Sequence, residues 1–461
     1  MNMNNPRTYT DVNRGFRSAL LSQSDDRLLR YSIQHRENKG IQSHALSKKI
    51  NEAEAESTLA RLSQGEICKT FFEVLKLKYR HLYEEICSDE NIYKAYLNAR
   101  KNKRYRNDVM LYTKNLEQNL SNLKEKLINK TITYPRYKRF IIHDPKYRVI
   151  LSQEFETNVE DWAFYQVINP LLINGYIEHS YACIPGRGQI KAVLKLHEWL
   201  RYVNRYRYRR EKEGKPVRDE DKWYYLKLDF SKYFYRIDHE IMKKRIKKKI
   251  TDKQVQKWLF SKVDNPYERF GLPAGKKPEE VPPEEWLSDK GMPIGTLISQ
   301  MLANLYNDVL DQYCKRELRI RYYIRYQDDI IILSNSKKQL HEWHRKIEQF
   351  ANEDMKMELN SKTCIRPISL GVDFCGYRNY PTHIKIRKST TKRMKRRLKK
   401  LMKDYNNGYV TLEQARSTIA SYMGLLKHCN SHSLKNKIFG DYYNVEGWFV
   451  LTKNKDDEGD N

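Results

Sequence analysis

The chain has 461 residues, enough for two or three domains, and its 87 Lys and Arg against 58 Asp and Glu leave a net charge of +29. That excess points to a polyanionic partner, either nucleic acid or an anionic membrane surface. No stretch approaches the roughly eighteen apolar residues of a membrane-spanning helix, and Met1 to Phe16 lack the apolar core of a signal peptide, so membrane function is set aside and nucleic acid favoured. Seven scattered cysteines without a Cys-x-x-Cys pair fit reduced thiols in the cytoplasm, and 34 tyrosines offer rings for stacking on unpaired bases.

Residues 1–90 are polar and mixed in charge, with helical patterns at Glu52–Leu62 and Ile67–Leu77. A basic and aromatic run follows from Asn91 to Arg106, then a helix over Asn107–Lys130 with Val109, Tyr112, Leu116, Leu120, Leu123 and Leu127 at helical spacing. Phe140–Ile142 and Val149–Leu151 read as a hairpin, Glu154–Asn174 as a helix and Trp223–Asp229 as a strand. Asp238 is a suitable N-cap for a helix whose Met242, Ile246 and Ile250 lie four apart. A loop rich in Pro, Gly and Lys covers roughly 264–293, and Thr296–Leu318 is a strongly periodic helix. Two apolar strands, Ile320–Arg325 and Ile330–Ser334, then flank Tyr326-Gln327-Asp328-Asp329. A helix (Lys337–Ala351), a short strand region (Met357–Ile365) and a helix over Lys385–Lys403 complete the series. That last helix is dense in Lys and Arg, with an apolar seam of Met394, Leu398, Leu401 and Met402 and an opposite face suited to phosphates. The acidic tail near Asp456–Asp460 is expected to be disordered.

Two adjacent carboxylates between Ile- and Leu-rich strands are the main chemical signal. Burying them unpaired costs several kcal/mol, a cost that bound divalent cations offset. A plain Asp-containing hairpin turn is the alternative. Asp229, where the strand Trp223–Leu228 ends, supplies a third carboxylate at the same sheet edge. Asp229 and Asp328, with Asp329 ranked below them, can then hold two Mg²⁺, with Mn²⁺ as a substitute, for phosphoryl transfer. His428, Cys429 and His432 lack the further paired ligands of a zinc site.

The ordered motifs from about Tyr93 to Gly440 resemble those of a reverse transcriptase. Phe140–Leu151 resembles the first fingers motif, and Ser180–Cys183 with Gly186-Arg187-Gly188 the second. Leu228–Phe234 resembles motif A, Ile294–Gln300 motif B, Tyr326–Asp329 motif C, Leu359–Thr363 motif D and Phe374-Cys375-Gly376-Tyr377 the primer grip. The resemblance implies an α+β right-hand polymerase: fingers over 91–222, a palm with an antiparallel sheet and packed helices over 223–380, and a helical thumb over 381–450. A helical N-terminal extension over 1–90 and a disordered tail over 451–461 complete the expectation. It also implies roles. The Phe230 carbonyl joins Asp229 as a metal ligand. Lys146, Arg148, Gly295, Ser299 and Gln300 serve the incoming dNTP, and Phe234 excludes a 2′-hydroxyl. Lys362 protonates pyrophosphate.

Motif B ends in Ser299-Gln300, where retroviral and group II intron enzymes typically have Ser-Pro, and Ile294 replaces their Gln. This form resembles the defence-associated and diversity-generating retroelement enzymes of bacteria. The long segment before the polymerase and Tyr235-Arg236-Ile237-Asp238 after motif A lean the reading toward antiphage defence, with a dedicated structured noncoding RNA copied into cDNA. Diversification of a nearby gene is one alternative, and a noncatalytic RNA-binding protein on a polymerase fold another. Arg201, Arg205, Arg207 and Arg209, interleaved with Tyr202, Tyr206 and Tyr208, are expected to bind RNA. Lys392, Arg393, Arg396 and Arg397 are expected to do the same on the last basic helix. The N-terminal extension is also a candidate for oligomerisation.

Overall fold

The computed structural model describes residues 81–439 apart from 133 and 144–146. The helical patterns at 52–62 and 67–77, Lys146 and the acidic tail lie outside the described residues. The chain divides into two compact units, 1–74 and 75–461, and everything described belongs to the second.

Helices α1 (Leu82–Ile86), α2 (Asp89–Arg100), α3 (Asn107–Lys114) and α4 (Leu116–Ile128) open the described chain. Ser88 starts α2 by accepting the Asn91 N–H at 3.3 Å. The single helix expected over 107–130 breaks at Asn115, whose φ of −115° and ψ of 43° are not helical. Leu82, Ile86, Ile92, Ala95 and Tyr96 are buried in the main core. Residues on both sides of position 90 thus share this core through the apolar faces of α1 and α2.

Strands β1 (Tyr137–Ile142) and β2 (Arg148–Gln153) form the expected antiparallel hairpin. Helix α5 (Phe155–Ile173) follows and is buried along Val159, Ala163, Phe164 and Ile168. Next comes α6 (Gln189–Lys212), which is buried only as far as Val203.

The central sheet holds β3 (Tyr224–Leu228), β4 (Tyr322–Tyr326), β5 (Asp329–Ser334) and β6 (Cys364–Pro367) in the order β4-β5-β3-β6, with every pair antiparallel. Successive side chains point to opposite faces, and both faces here are apolar. Leu226, Leu228, Tyr323, Ile330 and Ile332 enter one core. That core also takes Met242 and Ile246 of α8 (His239–Lys249), Met301 and Leu305 of α10 (Leu297–Gln312) and Ile347 of α11 (Lys337–Asp354). Helices α7 (Tyr233–Arg236) and α9 (Lys253–Val263) fill the same layer. Tyr225, Ile324, Ile331 and Leu333 face the other core, with Leu196, Trp199 and Leu200 of α6.

The helix expected over Thr296–Leu318 is α10, with Thr296 as its N-cap, and it passes into a π turn at Tyr313–Glu317. The strand expected at 357–365 starts only at Cys364, because Asn360–Thr363 is a turn closed by a 3.0 Å backbone bond. A second sheet, β7 (Val372–Phe374), β8 (Tyr377–Asn379) and β9 (Ile384–Ile386), delays the basic helix α12 (Lys388–Asn406) by three residues. Helices α13 (Leu412–Leu426) and α14 (His432–Phe439) finish the described chain, with Met394 and Leu426 buried between them and α12. The whole is an α+β arrangement of helical layers around antiparallel sheets.

Candidate active site

Tyr326 pairs with Asp329, so Gln327 and Asp328 form a two-residue hairpin turn with Gln327 at φ +55°. A glutamine in that backbone region needs support, and the Gln327 carbonyl has it. Arg325 Nη1 donates to it at 3.0 Å and Asn307 Nδ2 at 3.2 Å. Arg325 is itself fully buried. Its Nε and Nη2 donate to both oxygens of Asp311 at 2.7–3.0 Å, its Nη2 to Ser180 Oγ at 2.9 Å and its Nη1 to Asn304 Oδ1 at 3.3 Å. Tyr323 O–H adds a bond to Asp311 Oδ1 at 2.7 Å. The turn is thus held from beneath by a satisfied ionic network.

Asp229 leaves the end of β3 beside this turn. Asn360 fixes it twice: its N–H donates to the Asp229 carbonyl at 2.7 Å and its Nδ2 to Asp229 Oδ2 at 3.3 Å. Burial pushes the Asp328 carboxyl up to about 6, and the adjacent Asp229 carboxylate adds to the rise. Phe230 lies opposite Leu359, but the bonds there are made by its neighbours, Ser231 N–H to Glu358 and Asn360 N–H to Asp229. The Phe230 carbonyl therefore turns away from Leu359. Two crowded carboxylates and a nearby carbonyl are hard oxygen donors suited to Mg²⁺.

Asp329 goes elsewhere. Its Oδ1 lies 2.7 Å from Lys227 Nζ, which also donates to the Asp373 carbonyl at 2.9 Å. Among the described residues, no group of three or more His, Cys, Asp or Glu is placed to share a metal ion. Asp329, the lowest-ranked of the three expected ligands, is the one that carries a lysine ion pair.

Other expected positions separate into presented and enclosed groups. Arg148 is exposed on the hairpin opposite Ile142. Phe234 is half-buried, with its ring edge-on to Tyr233 at 5.5 Å. Lys362 is exposed, and its N–H is held by Asn360 Oδ1 at 3.1 Å. Gln300 is half-buried and accepts the Cys183 thiol at 3.3 Å, while Gln327 Nε2 reaches the same sulfur at 3.6 Å.

Three further sets of positions have defined surroundings. Ser299 is 1% exposed and bonded within 2.6 Å to Thr296 Oγ1, so it closes the helix cap and does not face a nucleotide. Gly295 has φ +118°, and a Cβ there would meet Ile150 Cγ2 at 3.0 Å and Leu151 O at 3.2 Å. On that side its backbone meets strand β2, tied by a 2.9 Å bond from Leu151 N–H to the Ile294 carbonyl. Phe374 and Tyr377 are both fully buried, so only Cys375 and Gly376, at φ +47° and +81°, are presented in the expected primer grip. Gln189 Nε2 holds the Cys375 carbonyl at 2.5 Å.

Arg201, Arg205 and Arg209 are exposed on α6, whereas Arg207 is paired with Glu211 at 2.8 Å. On α12, Lys392, Arg396 and Arg397 are exposed and Arg393 is half-buried beside the core residue Met394. The sequence reading passed over Arg325, Asp311, Asn360 and Lys227. For Arg325 and Asp311 a signal existed, since each is a charge on an otherwise apolar strand or helix face.

No curated protein matches the chain. Apo telomerase from Candida tropicalis is similar in structure, with 14% identity over 67% of this chain and 58% of that one and a TM-score of 0.41. Telomerase from Candida albicans in complex with a fragment of telomeric RNA matches at 13% identity over 72% of this chain and 60% of that one, with a TM-score of 0.38. The chain thus spans less than two thirds of the length of these structures. The family model described as reverse transcriptase (RNA-dependent DNA polymerase) matches residues 143–378, more than half of the 461. This chain belongs to the reverse transcriptase family, the RNA-dependent DNA polymerases.

Proposed function

We propose that Asp229 and Asp328 form the catalytic centre for RNA-directed DNA synthesis, with fingers over 91–222, palm over 223–380 and thumb over 381–450. The observation that carries this reading is the crowded carboxylate pair: burial and then the adjacent Asp229 raise Asp328, and no Lys or Arg among the described residues neutralises the pair by an ion pair. Asp229, Asp328 and the Phe230 carbonyl would hold the metal, and Asp329 supports the strand through Lys227. When bound, two Mg²⁺ (or Mn²⁺) would neutralise the triphosphate and lower the pKa of the attacking 3′-hydroxyl. Arg148 binds the triphosphate from the hairpin, and Phe234 blocks a ribose 2′-hydroxyl. Lys362, exposed two residues beyond the Asn360 that holds Asp229, protonates the leaving pyrophosphate.

The finer biological reading is that the template is a dedicated structured noncoding RNA and the role is antiphage defence. Its support is the Ser299-Gln300 form of motif B and the long segment before the polymerase. The test is to express the chain with its native flanking DNA and sequence the nucleic acid that copurifies. A single-locus or repetitive cDNA from an adjacent noncoding RNA, lost in Asp229→Asn, supports the proposal. Copies of a nearby repeat altered at adenines would mean diversification. Bound RNA with no cDNA in the wild type would mean a noncatalytic binder.

A further inference from the structure

Helix α6 joins two distant places. At its start, Gln189 touches Cys375 in the turn beside Asp329. Arg209 lies twenty residues on, about 30 Å along the axis at 1.5 Å per residue. The far end is tied to the opposite end of the sheet's strands, since Arg210 Nε lies 3.7 Å from Asp221, just before β3 begins. Strand β3 then runs the length of the sheet before reaching Asp229.

Along this remote half the helix is no longer covered. Arg201, Arg205 and Arg209 recur every fourth residue and form one ridge, with Tyr202 and Tyr206 on the next. The two rings are 46% and 55% exposed, and the Arg205 guanidinium lies over both, at 4.2 and 4.6 Å from their centroids. Among the described residues none of these three arginines forms an ion pair with a carboxylate, whereas Arg207 and Arg210 do. Arg321 extends the same surface: it is exposed and lies over Tyr322, which packs edge-on against Trp199 of α6. Two exposed rings braced by a cation, inside a stripe of guanidinium groups that form no close ion pair, suit unpaired bases and their phosphates. An acidic protein surface would use the charges but leave the rings without a partner.

We infer that the distal half of α6, with Arg321, is a second RNA site that grips single-stranded or loop RNA outside the segment being copied. This rests on the reading of the chain as an RNA-directed polymerase. The site anchors template RNA at the back of the palm, so it changes which RNA is retained but not how a nucleotide is added.

The experiment compares two probes on the full chain: a short poly(rA)·oligo(dT) duplex, and the same duplex carrying a long single-stranded RNA tail. The wild type should bind the tailed probe roughly ten-fold or more tighter. The triple variant Arg201→Gln, Arg205→Gln, Arg209→Gln should lose that gain, with the salt slope on the tailed probe shallower by about 2 for three lost phosphate contacts. Its synthesis on the short duplex should stay within about two-fold of wild type, and Arg207→Gln should leave both probes unaffected. Tyr202→Ala with Tyr206→Ala, which keeps every charge, should also lose most of the gain. The inference is overturned if the triple variant keeps the tail's gain, if it loses short-duplex synthesis equally, or if its only change is in oligomeric state. Failure of the polymerase reading would instead appear as no synthesis by the wild type on either probe, with the tail's affinity gain still measurable.

Discussion

Arg325 and Asp328 are three residues apart, on a strand and on the turn it leads into, yet their charges are treated in opposite ways. Arg325 is fully buried, and its donors are spent on Asp311, Ser180, Asn304 and the Gln327 carbonyl. Asp328 has another carboxylate beside it and is driven toward the protonated state. The first arrangement is closed and gains nothing from a ligand. The second is relieved when something positive is added, and such unresolved electrostatics mark a working site. A rigid, satisfied charge holding an unsatisfied one in place is also how preorganisation is built.

Four measurements bear on this contrast. The largest effect is expected for Asp328→Asn. It should lower deoxynucleotide incorporation by roughly 10³-fold or more, about 4 kcal/mol of barrier, while RNA retention in a filter-binding assay stays near wild type. Residual activity within about ten-fold would move the centre elsewhere.

Arg325→Ala leaves Asp311 buried without its partner and should cost about 3–5 kcal/mol in denaturant unfolding. Adding Asp311→Leu should recover much of that loss by removing the stranded charge. A single-variant cost under about 1 kcal/mol would mean that the network is not what holds the turn.

The third effect is in pH. In the metal-free folded protein the Asp328 carboxyl stays protonated up to about 6, against an ordinary value of 3.8. Between those values the native state binds more protons than the unfolded chain, so stability falls as pH rises from about 4 through 6 and levels off above. The drop is at most about 3 kcal/mol, and smaller because water reaches the site. Asp328→Asn should abolish it, so the metal-free variant should melt higher than wild type at pH 7.5. Equal melting temperatures there would show that the pair carries no strain.

Asn360→Ala should have the smallest effect. It removes one side-chain bond to Asp229 Oδ2, worth about 1 kcal/mol. The expected result is a kcat roughly five-fold lower with KM unchanged. A rise in KM instead would place Asn360 against the nucleotide.

The elements around the site were legible because their signals are local. Apolar runs gave β3, β4 and β5, and the helix cap at Asp238 stands where expected. Ser299 misled because it matched a family motif. The competing local chemistry, a Thr three residues before a Ser at a helix start, was already present in the sequence. The divergence of Asp328 and Asp329 follows from the two-residue period of a strand and was readable in principle. The partnership of Arg325 with Asp311 was not. It joins residues fourteen apart on different elements, and only the packing of α10 beneath β4 brings them together. The burial of Phe374 and Tyr377 likewise depends on α6 and α13, which no strand pattern encodes.

The bonds that surround Arg325 also have a hereditary consequence. Lysine offers a single ammonium group in place of a planar fork of five donors, so no one-step change at this position keeps the arrangement. Substitution at Asp311, Asn304 or Ser180 alone strands a buried donor. A lineage in which one of these four positions drifts is expected to change the others in step, as a linked set crossing three segments of the chain. Positions 325, 311, 304 and 180 should therefore vary together or not at all, while Tyr202 and Tyr206 on the exposed helix remain free to vary with whichever RNA the enzyme carries.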